Sequence, residues 1–99
     1  MSITQKQKRH LKGLVHHLKP VVIVGQNGLN EGVFGELECA LLSHELIKVR
    51  VNAGDREERQ ALLDAIGTRT GAQLIHAIGH VAAFYRRNPD APRITLPAD

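Results

Sequence analysis

The apolar positions change period several times along the chain. Leu11, Leu14, Val15 and Leu18 recur at i, i+3, i+4 and i+7, the stripe of an amphipathic helix over residues 3–18. Pro20 stops it, because proline cannot continue a helix. Val21 to Val24 is an unbroken β-branched run, the pattern of a strand covered on both faces or central in a sheet. Val33, Leu37, Ala40 and Leu41 return to helical spacing, with Asn30 as a suitable N-cap and Glu31 as an acid in the first turn. "LIKVRV", residues 46–51, alternates, placing Ile47, Val49 and Val51 on one face and Leu46, Lys48 and Arg50 on the other.

Asp55 and Glu58 have the spacing of a capping box for a third helix carrying Leu62, Leu63 and Ile66, which Gly71 can end in a left-handed cap. "AQLIHAI" and "VAAFYRR" are two strand patterns joined by Gly79-His80, a pair suited to a type II′ hairpin turn. The order is therefore α-β-α-β-α-β-β. It predicts an α/β chain of the two-layer α+β kind, with a four-stranded mixed sheet and helices packed against it. Residues 1–87 form one domain in this reading. Residues 88–99, with three prolines, form a loosely held tail in which "RITL" can add to a sheet edge.

Composition narrows the function. Ninety-nine residues suit a single small core, and with aromatics at 3% and no Trp its burial must be mostly aliphatic. The net charge of +3 is modest, but its placement is not. Before Glu31 the chain carries Lys6, Lys8, Arg9, Lys12 and Lys19 and no acid. That asymmetry favours a polyanionic partner over a small-molecule substrate. Cys39 is the only cysteine, which excludes an internal disulfide and a cysteine-based zinc site. No apolar run approaches the ~20 residues of a membrane span, and no secretory signal is present, so a cytoplasmic protein without a membrane partner is expected.

The candidate chemistry centres on Gly25-Gln26-Asn27-Gly28, where the first strand hands over to the second helix. A helix N-terminus offers free backbone N–H groups, and glycines ahead of it let a phosphate come close. Gln26 and Asn27 add side-chain donors. The same two glycines also suit a tight β-to-α turn with positive φ, and G-x-x-G is a short pattern. Neither a Walker motif nor G-x-G-x-x-G is present. On a helical wheel Lys8, Arg9, Lys12, His16 and Lys19 share one sector flanking the apolar stripe. Lys48 and Arg50 share a sheet face, and Tyr85-Arg86-Arg87 close the hairpin, with Tyr85 the one tyrosine available for base stacking.

"LKPVVIVGQNGLNEGV", "HELIKVRV" and "GAQLIHAIGHVAAFYRR", in this order, resemble the CRM domain, named for chloroplast RNA splicing and ribosome maturation, and most of all its stand-alone bacterial YhbY-like members. The likeness covers about residues 2–87. It implies a fold similar to the C-terminal domain of translation initiation factor 3, and RNA binding through the G-x-x-G loop and neighbouring basic residues. It also implies association with ribosomal RNA in precursors of the large ribosomal subunit. By position, Gly25, Gln26, Asn27 and Gly28 match the signature loop, His44, Glu45 and Lys48 the entry to the second strand, and Tyr85 and Arg86 the end of the last. Asn30 stands where the family usually has Thr. Gln26 stands where many members carry Lys or Arg, which predicts weaker phosphate affinity at the loop, offset by the first helix.

The expected RNA contacts are thus Gly25, Gln26, Asn27, Gly28, Lys8, Arg9, Lys12, Lys19, Lys48, Arg50, Tyr85 and Arg86. Six histidines invite a metal site. However, His16 and His17 diverge by about 100° on a helix, and a glycine turn separates His76 from His80. Cys39, among Leu37, Leu41 and Leu42, reads as a small buried hydrophobe. No catalytic arrangement, metal or cofactor is expected. A DNA-binding nucleoid protein and a protein-interaction module are the competing functions; preference for duplex DNA marks the first, and binding insensitive to salt the second.

Overall fold

The computed structural model describes residues 3–52 and 54–98. It contains α1 (Gln5–Val15), β1 (Pro20–Val24), α2 (Glu31–His44), β2 (Leu46–Val51), α3 (Arg56–Thr70), β3 (Gln73–Ile78) and β4 (Val81–Tyr85). The element order and the four-stranded mixed sheet are those expected. The strand order is β1-β2-β4-β3, with β1 parallel to β2 and the other neighbours antiparallel.

Local chemistry explains the element ends. Thr4 and Gln7 form a reciprocal capping box on α1, each side chain bonded to the other's backbone N–H. α1 stops at Val15, before the expected Leu18, so Lys19 lies in the connection to β1 and off the helix. Asn30 and Asp55 cap α2 and α3 by accepting from the Val33 and Glu58 amides, both at 2.9 Å. Gly71 ends α3 in the left-handed conformation.

The alternation in β2 sorts the sheet into two faces. Ile47, Val49 and Val51 join Val22, Val24 and Phe84 beneath α2 and α3, which contribute Phe34, Leu37, Leu41, Leu63 and Ile66. On the other face Leu46, Ala83, Tyr85 and Ile75 pack against Leu11 and Val15 of α1. The expected two layers therefore gain a partial third, because the apolar stripe of α1 is buried on the opposite side of the sheet from α2 and α3. Cys39 is exposed: α2 buries Phe34, Leu37 and Leu41, and position 39 lies off that stripe.

β1 is an edge strand covered on one face only. Its Val22 and Val24 are buried, while Val21 and Ile23 are 51% and 59% exposed. An unbroken β-branched run thus does not mean two-sided burial here.

The C-terminal segment is tied down. Ile94 and Leu96 pack into the α1-side core, and the Pro97 carbonyl accepts from the Gln7 side chain. Glu45 supplies the main anchor. It is fully buried, and its carboxylate accepts the backbone N–H groups of Asn88, Arg93 and Ile94 at 2.7, 2.6 and 2.8 Å. It is also the one described non-glycine residue with positive φ, at 62°. A conformation of that kind costs on the order of 1–3 kcal/mol, which the three charge-assisted bonds offset. Burial pushes the Glu45 carboxyl up, but the three amides, aided by Arg87, outweigh it and hold the group below the usual carboxylate range.

Candidate nucleic-acid interface

The Gly25–Gly28 loop begins where β1 leaves the sheet. A turn closes it, with the Gly28 N–H donating to the Gly25 carbonyl at 3.0 Å. Gln26 and Asn27 stand exposed at the tip, and Leu29 returns to the core. The two glycines serve different ends. Gly28 has φ of 69°, so the turn itself requires glycine there. Gly25 has no such conformation, and a Cβ built on it would meet nothing within 4 Å. The fold gives no reason for glycine at position 25.

The N-terminus of α2 is less open than its sequence suggests. Asn30 takes up the Val33 amide, and Glu31 in the first turn is held by Arg69 at 2.6 Å. Arg69 in turn lies 4.0 Å from the centre of the Phe34 ring. The Gln26 and Asn27 side chains at the exposed loop tip add donors beside this helix end.

The expected cations separate into two groups. Arg9 and Lys12 on α1, Lys19 in the connection and Arg50 on β2 are exposed, and Lys8 is half-buried beside the apolar stripe. α1 packs on the face of the sheet that carries Arg50, so these groups share one side of the molecule. Arg50 is held by a bond from Nε to Asn52 Oδ1 of 2.8 Å.

Three of the other expected contacts are built into the fold. Lys48 donates to the Leu18 carbonyl at 3.1 Å and fastens the end of the α1 connection to the sheet. Arg86 makes a two-pronged pair with Glu38, both bonds 2.8 Å, and donates to the Thr70 carbonyl at 2.8 Å. It thereby joins β4, α2 and the end of α3. That hydrogen-bonded partner holds the Glu38 carboxyl below its usual range, against the opposing effect of burial. Tyr85 is 3% exposed within the α1-side core and offers no face for stacking. Burial first, and then the Glu45 carboxylate, raise its phenol pKa against the opposing pull of Arg87.

Comparison with known proteins gives this geometry its family. The model of the CRS1/YhbY (CRM) domain matches residues 3–86. The chain belongs to that family. A Pseudomonas aeruginosa protein named "Probable RNA-binding protein" is 51% identical over 89 residues, covering 90% of this chain and 86% of its own. A Haemophilus influenzae "RNA-binding protein" is 50% identical over 96 residues, covering 97% and 96%. The solution structure of a Staphylococcus aureus protein described as "a putative RNA binding protein" superposes with a TM-score of 0.82 at 31% identity, over 97% of this chain and all of its own. Within this CRM domain Gln26 and Asn27 of the loop and Arg9 and Lys12 of α1 lie on accessible surface, whereas Lys48, Tyr85, Arg86 and Glu45 hold the fold together.

Sequence reasoning missed Glu45 as the anchor of the C-terminal segment; a lone Glu before a strand carries no signal of burial. It also missed the Thr4–Gln7 cap, although T-x-x-Q ahead of an apolar stripe is a readable cue.

Proposed function

We propose that this CRM domain is a cytoplasmic RNA-binding protein that associates with ribosomal RNA in precursors of the large ribosomal subunit. It holds the RNA backbone without chemistry. In this reading the tip of the Gly25–Gly28 loop meets the sugar-phosphate chain, and Arg9, Lys12, Lys19 and Arg50 neutralise neighbouring phosphates. Lys8 supports them from the edge of the stripe. The observation that carries the reading is Gly25: glycine stands where neither conformation nor packing asks for it, beside open space and next to the exposed Gln26 and Asn27. A close approach from outside gives that glycine its reason. The names of the relatives point to the same class of ligand.

Co-sedimentation with large-subunit precursors tests the reading. The folded double variant Lys12→Glu/Lys19→Glu is expected to leave the precursor fractions, and Gly25→Asp to weaken binding with an unchanged melting curve. Gly28→Asp is a poorer probe, because its positive φ also strains the turn. Undiminished co-sedimentation of both variants, or tighter binding to duplex DNA than to ribosomal RNA at equal salt, overturns the assignment.

A further inference from the structure

The face of the sheet under α1 is only half covered. α1 and the C-terminal segment bury Leu46, Ala83, Tyr85 and Ile75, at the end where β2 begins. One strand-width row further on, the pairing register sets Ile23, Arg50, Val81 and Ile78 side by side across all four strands. Directly paired residues share a face, so all four point to the side opposite α2 and α3. Ile23 and Ile78 are 59% and 67% exposed, and Arg50 between them is exposed as well. Val21, 51% exposed, extends the row along β1. Ile23 lies two residues before Gly25, so this surface runs into the signature loop, and α1 borders its other side.

We infer that this row is a platform for unpaired nucleobases of the RNA whose backbone the loop and the α1 cations hold. The inference rests on the RNA-binding reading above and names the form of RNA it takes: a single-stranded segment next to the contacted backbone. Three features of the row favour this occupant. First, the row is aliphatic with a guanidinium at its middle and carries no acid. The Arg50 side chain is already braced by Asn52, and a held guanidinium plane stacks on bases. Second, four strands about 4.8 Å apart make a surface roughly 14 Å across, on the order of 200 Å² in area. That falls well short of the ~800 Å² that a protein partner normally covers, and it has the extent on which other four-stranded sheets seat two or three bases, there on aromatics and here on aliphatic side chains and Arg50. Third, the platform is continuous with the proposed backbone contacts, so a strand pinned at its phosphates presents its bases here without a separate ordering cost.

The test uses the full chain with two probes: an unstructured RNA of about twelve nucleotides and a perfect RNA duplex of about sixteen base pairs. Ile23→Thr/Ile78→Thr removes apolar surface while keeping β-branched side chains on exposed positions, so the fold is retained. It is expected to weaken the single-stranded complex about tenfold, from lost apolar burial, with the duplex affinity and the salt slope unchanged. Arg50→Lys keeps the charge and loses the plane, and it is expected to weaken the single-stranded complex more than the duplex complex. Equal loss on both probes, or no loss on either, overturns the platform while leaving backbone binding intact. A wild-type chain that self-associates through these residues, with the double variant monomeric, overturns it in favour of a second copy as occupant. A wild-type chain that binds neither probe in a salt-dependent way sinks the RNA-binding reading itself.

Discussion

The two halves of the sheet face under α1 come from the same strands and are finished in opposite ways. Toward the start of β2, α1 and the C-terminal segment close over Leu46, Tyr85 and Ile75. The polar groups there are committed: Lys48 to Leu18, and Glu45 to three backbone amides. Toward the end of β2, Arg50 stands between exposed isoleucines, beside a loop whose first glycine the fold does not require. The difference separates two uses of the same residue types. Lys48 and Glu45 fasten distant parts of the chain together, whereas Arg50 meets only the side chain of Asn52, two residues on, and stays exposed.

The closed half should be the more sensitive to substitution. Glu45→Ala strands three amides and frees the C-terminal segment from the α1 side. The expected loss is about 3 kcal/mol of stability, a melting temperature lower by roughly 12–24 °C for a domain of this size. A melting curve within two or three degrees of wild type, on that same scale, contradicts the anchoring role.

Acid should act more gently, on Glu45 in this half and on Glu38 of α2 across the sheet. Glu45 and Glu38 both titrate below the usual carboxylate range in the folded chain. Their contribution is therefore complete above that range and is lost as pH falls through it toward the folded-state values. Urea midpoints should decline across that window, and Glu45→Gln should flatten the decline. An unchanged slope in the variant assigns the acid sensitivity to other groups.

Tyr85→Phe should have the smallest effect. Phe keeps the buried ring and removes only its hydroxyl, so RNA affinity is expected to stay within about twofold. A loss of about tenfold, roughly 1.4 kcal/mol, places the Tyr85 hydroxyl against RNA.

These contrasts also explain what could be read from the chain alone. Periodicity located every element, because the buried stripes of α1, α2 and β2 are local patterns. The surface placement of the G-x-x-G tip and of Arg9 and Lys12 was legible for the same reason. Tyr85, Lys48 and Arg86 were not: an aromatic or basic residue at the end of a strand looks the same whether it meets a ligand or a distant part of its own chain. Arg86 finds Glu38, 48 residues away, and Glu45 meets Arg93 and Ile94, 48 and 49 residues away. Only tertiary structure reports such pairings. Likewise the exposure of Val21 and Ile23 follows from the edge position of β1, which no feature of "VVIV" encodes.

The central claim is that exposed cations on the α1 side neutralise RNA phosphates, and salt dependence tests it most directly. RNA affinity should be measured against salt concentration for the wild-type chain and for Lys12→Gln/Lys19→Gln. The account predicts a linear log–log fall that becomes shallower by about 1.4 in the variant, about 0.7 for each lost contact with a single strand. Parallel slopes, or a wild-type affinity that salt leaves unchanged, would contradict it.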